Sequence, residues 1–463
     1  MIAFGLALLT LGAIALVRRD PRLIAVALGV GAGLPATAGL AVGGLSVSLF
    51  ALACVLAAVG WATSRAHGVP SAAATLLVVF TVWSTVAAFF GPWAFQGVPV
   101  LLPGNGIDEQ VKAPSALVLT SSNVAQPAFL WASTLAVLFL ARTGTARAAL
   151  WTAAWVATTA SLARGALKAV GADVAGPVLD TLDVDYAVPG DVRLRGVFAE
   201  PSELATFSLG VAVLAVVTVA TTTGRQRVRA AVLAVLAAAA LLASASGTAV
   251  AASGIVLAGL LVVLLLRYVS TRGRGTPWIA LGAIVLAITA LTVGDRLLGP
   301  VLGIVDDKIG SQSYDSRTAA DALGLRVLRD TWGLGAGLGS NRSSSFVVTL
   351  ASTVGVPGVL LFASVVVALV IGAVRHRGLI AATAGLLALL VAKSIAAPDL
   401  TTPLLWLLIA AALPVRRPDP DRDLGAVTID LDVEPSPSPA RGRVPARRTT
   451  AAAPPPGRRR AAR

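Results

Sequence analysis

The residues best suited to chemistry lie in the segment RLRGVFAEPSELA, residues 193 to 205. Arg193 and Arg195 come first, and Glu200 and Glu203 follow at the start of an apolar stretch. Arginine binds phosphate oxygens in pairs and stays charged at any physiological pH. The pattern predicts either one wall of a pocket for a phosphorylated ligand or an ion pair with Glu200 that fixes the loop.

More arginines follow in the segment 295 to 344. A short helix is predicted here, capped by Asp315 or Ser316 and ending near Thr331. It carries Arg317, Arg326 and Arg329, with Arg326 and Arg329 on one flank. Its apolar stripe is expected to lie on the membrane surface or on neighbouring helices, and consists of Ala319, Ala320, Leu323 and Val327.

The sequence GLGAGLGS follows Trp332 and precedes Arg342. It is not a dinucleotide fingerprint, because the glycines alternate and no strand precedes them. Two interpretations stay open. The backbone amides form an anion-binding nest beside Arg342, or the segment is a flexible turn into the next helix.

The elements that position these residues are set by composition. Of 463 residues, 56% are hydrophobic and only 13% are charged, with a mean hydropathy of +0.83. Such a chain cannot pack wholly inside a soluble core. We therefore predict an all-α polytopic membrane protein.

Apolar runs predict 12 to 13 transmembrane helices within residues 1 to 415. The SASG sequence at 244 to 247 is either a turn or a kink between two of them. The candidate spans are 2 to 17, 22 to 38, 43 to 63, 72 to 90, 126 to 141, 148 to 166, 203 to 222, 229 to 245, 248 to 266, 277 to 294, 345 to 372, 378 to 397 and 402 to 415.

Basic residues predict the orientation, because their clusters are each separated by two candidate spans and so fall on one side. The positive-inside rule makes that side the cytoplasm, with the amino terminus outside. The clusters contain Arg18, Arg19 and Arg22; Arg65; Arg142 and Arg147; Arg225, Arg227 and Arg229; Arg267, Arg272 and Arg274; Arg375 and Arg377; and Arg416 and Arg417.

The net charge of +14 divides unevenly in this topology, with +18 on the inner side and −4 on the outer side. The high pI thus reflects topology and a basic tail, so we expect no nucleic-acid partner. The tail, 416 to 463, holds eleven arginines and proline-rich runs. We expect it to be disordered, cytoplasmic and close to anionic lipid.

Cysteine and histidine exclude several chemistries. Cys54 is the single cysteine and lies in an apolar span, while His67 and His376 both fall at predicted cytoplasmic helix ends. No disulfide, metal site or serine-histidine-aspartate arrangement is therefore predicted on the outer side. The expected chemistry needs no metal and no cofactor.

The predicted outer side has three long loops, at 91 to 125, 167 to 202 and 295 to 344. The first contains Trp93 and Phe95, which are expected in the interfacial belt. Arginines on this side imply a phosphorylated ligand in the outer leaflet. A polyprenyl diphosphate that carries a glycan fits this location, because its tail enters lipid and its diphosphate meets the arginines.

The order of motifs resembles the O-antigen ligase and polymerase superfamily, most closely its bacterial exopolysaccharide polymerases. The resemblance covers residues 190 to 375. It rests on RxRGxFxEPSxxA at a helix entry, then ASASGTAVAASG, DSR, a tryptophan with GLGAGLGS, and LASTVGVPGVLLF.

The resemblance implies a metal-independent glycosyltransferase of the C class at the outer face of the cytoplasmic membrane. The family has two loop arginines that hold an undecaprenyl diphosphate. The first is matched by Arg193 or Arg195, and the second by Arg317. Arg342 stands nearest the place of the ligases' histidine. Glu200 is the candidate base for the acceptor hydroxyl. Partners implied are an undecaprenyl-diphosphate-linked oligosaccharide, a flippase and a chain-length regulator.

Lys393 and Asp399 are further polar residues at membrane depth, where such groups are costly enough to suggest function. A mutual ion pair is the simpler interpretation. Two differences from the ligases favour a polymerase. The sequence SNRSSS stands where ligases have a histidine, and Gly247 stands where many relatives have arginine. The alternatives are a ligase that transfers a finished glycan, a lipid-linked oligosaccharide flippase, and a non-catalytic membrane scaffold.

Overall fold

The computed structural model describes residues 3 to 42, 45 to 63, 71 to 103, 111, 113 to 172, 175 to 182, 184, 193 to 270 and 312 to 414. These residues belong to one compact unit. The predicted span 277 to 294, the loop residues 295 to 311 and the tail from 416 lie outside the described residues.

Helices make up most of the described chain. They are α1 Ala3–Arg18, α2 Pro21–Gly33, α3 Leu49–Thr63, α4 Ala72–Ala94, α5 Ser122–Thr143, α6 Ala146–Ala169, α7 Gly176–Leu179, α8 Pro201–Thr221, α9 Gly224–Ala243, α10 Gly247–Ser270, α11 Gln312–Asp330, α12 Phe346–Arg375, α13 Ile380–Ile395 and α14 Pro403–Ala412. Two small antiparallel hairpins pair β1 Ala38–Val42 with β2 Leu45–Ser48, and β3 Pro99–Val100 with β4 Ser115–Ala116.

Six described helices are long and apolar enough to cross a membrane, which agrees with a mostly helical, multi-pass membrane protein. They are α4, α5, α8, α9, α12, and α13 together with the short 3₁₀ turn before it. Each predicted span within the described ranges contains a helix. The SASG sequence is a turn between α9 and α10, with Ala245 at a φ of 41°.

Two predicted spans are shorter than expected. The span 22 to 38 stops at Gly33, because Pro35 and the hairpin follow. The span 43 to 63 begins only at Leu49, since residues 45 to 48 form a strand. Short alternating apolar residues suit a strand as well as a helix, and apolarity alone does not separate the two.

The helix ends separate into two groups. One end, called the loop end, carries the described parts of the connecting segments, which are 95 to 103, 113 to 121, 170 to 172, 175 to 182, 193 to 200, 331 to 345 and 396 to 402. Leu101 donates its backbone N–H to Asn341 Oδ1 at 2.9 Å there, and Thr37, which follows α2, donates to the Leu179 carbonyl at 3.0 Å.

The opposite end, called the basic end, carries the turns of the described arginine clusters. Arg147 donates to the Gly378 carbonyl, which joins two of these turns. Gly29 packs against Ala149, and Gly33, one turn later, packs against Val156. Because both contacts advance along the chain together, α2 and α6 run in the same direction from this end. The prediction that basic turns share one end therefore agrees with the described clusters, and their cytoplasmic assignment stays a prediction.

Helix α12 is broken near its middle, where Gly355 has a φ of 71° and Pro357 lacks an N–H. The break removes the usual donors for the carbonyls of residues 352 to 354. In a membrane bundle each carbonyl without a hydrogen-bond donor costs several kcal/mol, unless another part of the protein donates to it. Trp83 Nε1 donates to the Val354 carbonyl at 2.8 Å and so provides a partner for one of these three carbonyls.

The glycine-rich segment 332 to 340, called the glycine clasp, satisfies the other two. The N–H groups of Ala336 and Gly337 donate to the carbonyls of Ser352 and Thr353, both at 2.8 Å. In return Val356 donates its N–H to the Gly333 carbonyl at 2.8 Å. The clasp is thus a packed partner of the helix break and not a flexible turn.

Glycine is required in the clasp by both conformation and space. Gly333, Gly335, Gly337 and Gly339 all have φ between 77° and 102°, a region that side chains disfavour. A Cβ on Gly335 would lie 2.5 Å from the Thr353 carbonyl oxygen, and one on Gly339 would lie 2.5 Å from that of Ser122. The alternating glycines therefore let the clasp lie directly against three helices.

Replacement of Gly335 by alanine tests the clasp. We expect a cost of about 3 kcal/mol, from the left-handed backbone and from the overlap with Thr353. Gly144→Ala is the matched control, because Gly144 has a φ of 68° and nothing within 4 Å of its Cβ position. Thermal unfolding in detergent should show a much larger fall in apparent Tm for Gly335→Ala, and equal falls would contradict this packing.

Cysteine labelling tests the separation of the two ends. In a Cys54→Ala background, Val184→Cys and Asp315→Cys should react with an impermeant maleimide in intact cells. Val228→Cys and Arg377→Cys should react only after permeabilisation. If one residue of the first pair and one residue of the second pair both reacted in intact cells, the assignment of the two pairs to opposite ends would be contradicted.

Candidate functional site

Arg342 is fixed at the loop end by its backbone neighbours. Its N–H donates to the Leu101 carbonyl at 2.8 Å, and the adjacent Asn341 donates from Nδ2 to Ser352 Oγ at 2.8 Å. Asn123 holds the preceding turn by donating to the Leu338 carbonyl and to Ser340. Three separated parts of the chain therefore set the position of this arginine.

The guanidinium of Arg342 lies beside Asp399, with Nη2 3.7 Å from Oδ2, and both side chains are partly exposed. Arg342 Nε is buried and has no hydrogen-bond partner among the described residues. This geometry leaves donors of Arg342 for an anion, because the contact with Asp399 is a loose ion pair and not a bidentate one.

Lys393 lies next to this pair and is fully buried in the last turn of α13. Its Nζ donates to Thr402 Oγ1 at 2.7 Å and lies 5.4 Å from the centre of the Phe346 ring. Asp399 and Glu203 are near enough to interact with it electrostatically, as is the like-charged Arg342. A direct Lys393–Asp399 pair was the simpler prediction, whereas Asp399 forms its described ion pair with Arg342.

Glutamates at the start of α8 complete this side of the site. Pro201 occupies the first turn, and Glu203 follows it. Glu203 Oε2 accepts from the Ala199 N–H at 3.3 Å and interacts electrostatically with Asp399 and Glu200. Glu200 is exposed and accepts from Ser202 Oγ at 2.9 Å.

Arg317 lies on α11, which begins at Gln312 and so starts before the predicted cap. Asp321, one turn later, accepts from the N–H groups of Ser344 and Ser345 at 2.7 and 3.0 Å. This contact holds one face of α11 against the start of α12. Because Arg317 is four residues before Asp321, it belongs to that same face, towards the segment that carries Arg342.

Arg195 makes contacts that differ from the predicted pairing with Glu200. Both of its terminal nitrogens donate to the carboxylate of Asp180, and Nη1 also donates to the Phe198 carbonyl at 3.0 Å. Arg164, almost fully buried, makes a bidentate pair with the same carboxylate at 2.8 and 2.7 Å. We call Arg164, Asp180 and Arg195 the loop triad.

The loop triad fixes the segment that leads into α8. Arg164 also donates to the Gly196 carbonyl at 2.9 Å, so α6 holds residues 195 to 198 in place. Burial disfavours the charged form of Asp180, but hydrogen bonds from Arg164 and Arg195 outweigh it and lower the pKa of that carboxyl. The contacts of Arg195 are those of a structural ion pair, and Arg193 lies half-buried beside it.

The amides of the glycine clasp are directed inward. Besides Ala336 and Gly337, Gly333 donates to the Leu328 carbonyl at 2.8 Å, and Gly335 donates to Thr331 Oγ1 at 3.0 Å. These N–H groups have protein acceptors, so the clasp positions Arg342 and does not itself form the nest that we considered from the sequence.

A small cavity lies beside the ion pair of Arg342 and Asp399. It encloses about 20 Å³, which is room for about one water molecule. Arg342 and Asp399 line it together with Asn341, Phe346, Thr353 and Leu400. A sugar diphosphate would enter only if the contact between Arg342 and Asp399 opened.

Within the described ranges, no three histidine, cysteine, aspartate or glutamate side chains converge to hold a metal ion. Glu203 and Asp399 approach each other, but their neighbours are Lys393 and Arg342. The two carboxylates therefore face cationic side chains.

Sequence reasoning missed the roles of Arg164, Asp180 and Glu203. An arginine inside the predicted span 148 to 166 was a usable signal, since charges at that depth need partners. Asp180 carries no such signal, because Arg164 and Arg195 are 16 and 15 residues away. The interactions of Glu203 with Lys393 and Asp399 join distant parts of the chain and likewise have no local signal.

Comparison of the sequence with known protein families and with characterised proteins finds no match.

Asp180→Asn tests the loop triad. We expect a loss of about 3 to 5 kcal/mol near pH 7, because two buried guanidinium groups lose their counter-charge. The lowered pKa of Asp180 stabilises the fold above the unfolded-state pKa, and this contribution disappears as pH falls through the folded-state value. Apparent Tm should therefore fall more steeply on acidification for the wild type than for Asp180→Asn, and parallel curves would contradict the assignment.

Proposed function

We propose that this chain is a membrane glycosyltransferase that acts on undecaprenyl-diphosphate-linked glycans at the outer face of the cytoplasmic membrane. Its reaction polymerises the repeat units of a cell-surface polysaccharide. The observation that carries the proposal is the convergence of Arg342, Lys393, Glu203 and Asp399 at the loop end. Cations and carboxylates at one helix mouth are what the transfer of a sugar from a lipid diphosphate requires.

Arg342 and Lys393 are the proposed ligands of the diphosphate, with Arg317 approaching from α11. A diphosphate would meet two fixed positive charges in a largely dry environment, where such contacts are strong. Asp399 holds Arg342 until the ligand replaces it. Arg193 remains a candidate for the same anion, whereas Arg195 already carries the structural contact with Asp180.

The proposed reaction joins an acceptor hydroxyl to the anomeric carbon of the donor sugar. The hydroxyl oxygen forms the new bond, the bond from the anomeric carbon to the diphosphate oxygen breaks, and the hydroxyl proton passes to Glu200. The exposed carboxylate of Glu200 suits this role, since one hydroxyl, Ser202 Oγ, is its described partner. Glu203 is the neighbouring alternative for the base.

The charge distribution favours catalysis over transport. A transporter for lipid-linked sugars needs a polar path through the middle of the bundle. Among the described residues, Arg164 is paired at the loop end of α6, Lys393 lies in the final turn of α13, and Glu203 lies in the first turn of α8. A flippase and a chain-length regulator are then the partners that would supply substrate and set polymer length.

Substitution of the cations tests the proposal. With purified protein and an undecaprenyl-diphosphate oligosaccharide, Arg342→Ala and Lys393→Met should each lower the rate of product formation by about 100-fold. Arg326→Ala is the matched control, because Arg326 is exposed on α11 and should retain the wild-type rate. Full activity in both cation variants, at normal protein levels, would refute the assignment.

The products separate the function classes. Longer lipid-linked oligosaccharides indicate a polymerase, and transfer of the glycan to another added acceptor indicates a ligase. If the substrate only crosses the bilayer of a proteoliposome and is not changed covalently, the chain is a transporter and the proposed enzymatic function is wrong.

A further inference from the structure

Aromatic side chains from two distant segments form a connected cluster at the loop end. Phe90 lies 5.8 Å from Trp93 and 6.2 Å from Phe95, measured between ring centres. Phe95 in turn meets Trp332 edge to face at 5.8 Å. We call Phe90, Trp93, Phe95 and Trp332 the aromatic cluster, which no step of the proposed reaction uses.

The two tryptophans of the cluster are turned away from the protein. Trp332 is 84% exposed and Trp93 is 78% exposed, although the protein has a large apolar interior. Trp332 also has a φ of 54°, which is unfavourable for a bulky residue. The edge-to-face contact with Phe95 holds its indole in this outward position.

The cluster continues the exposed stripe of α4. Every third or fourth residue of this helix is exposed and apolar, in the order Val79, Val82, Val86, Phe89 and Trp93. The opposite face is buried against the bundle, so this stripe is the one that contacts lipid. Trp93 stands at its last turn, at the level where a membrane span meets the headgroups.

Helix α11 carries a further exposed apolar residue. Ala320 and Val327 are buried against the protein, whereas Leu325 is exposed on the other side. Trp332 follows the end of this helix, which is Asp330. Arg326 and Arg329 are also exposed on α11, as expected for side chains that meet lipid phosphates.

From this geometry we propose that the aromatic cluster and Leu325 form a membrane-interface anchor, which inserts Trp332 and Trp93 among the lipid headgroups. The occupant is lipid and not sugar, because the cluster is continuous with the lipid-facing stripe of α4. Tryptophan favours this depth, where its ring is in apolar surroundings and its N–H stays near water. The anchor would hold α11 flat on the bilayer, independently of any catalytic role.

Depth-dependent quenching of tryptophan emission tests the anchor. The protein would be placed in nanodiscs whose lipids are brominated either near the headgroup or near the chain terminus. Trp332→Phe should lower the fraction of emission quenched by headgroup-proximal bromine by about a tenth, since Trp332 is one of nine tryptophans. Bromine near the chain terminus should show a smaller difference.

Trp406→Phe is the matched control, because Trp406 is buried inside the protein and contributes unquenched emission. Its removal should leave the quenched fraction unchanged or raise it. If Trp332→Phe left lipid quenching unchanged and reduced quenching by aqueous iodide, Trp332 would face water, as a sugar-stacking residue does, and the anchor would be refuted.

A spin label at position 325 provides a second readout that does not alter the aromatic cluster. In the Cys54→Ala background, labelled Leu325→Cys should be relaxed more strongly by oxygen, which partitions into lipid, than by a water-soluble nickel chelate. The reverse order would contradict the proposal even if the tryptophan variant failed to fold.

Discussion

A backbone carbonyl without a donor is expensive inside a membrane bundle, where no water can replace the missing partner. The break of α12 at Gly355 and Pro357 leaves such carbonyls at residues 352 to 354, and the rest of the loop end follows from the way they are satisfied. The glycine clasp must lie against the break to donate its amides, and Trp83 must reach it from α4. Because the clasp ends at Ser340, shortly before Arg342, the same constraint brings Arg342 to the mouth of the bundle.

The arginines at this end serve two purposes that their sequence context does not separate. Arg164 and Arg195 share the carboxylate of Asp180 and donate further hydrogen bonds to backbone carbonyls. These contacts fix the segment that leads into α8. Arg342 has a loose pair with Asp399 and an Nε without a described partner. The difference in bonding, more than the presence of arginine, directs the functional proposal to Arg342 and its neighbour Lys393.

Much of the architecture was predictable, because long apolar runs and arginine-rich turns follow directly from the cost of burying charge in lipid. The SASG sequence was predicted to be either a turn or a kink, and it is a turn. The partners of Arg195, Asp399 and the clasp amides were not predictable, because each bond joins segments whose proximity depends on packing. The hairpin at 38 to 48 was missed because short apolar runs do not distinguish strand from helix.

The central claim is that the broken helix assembles a cationic site for a lipid diphosphate. A cryo-electron microscopy map of the protein in nanodiscs with undecaprenyl diphosphate tests it most directly. The account predicts diphosphate density within hydrogen-bond distance of Arg342 and Lys393, with Asp399 displaced from Arg342 and α12 still broken at Gly355. Diphosphate density elsewhere, with Arg342 still against Asp399 and Lys393 still bonded to Thr402, would contradict it.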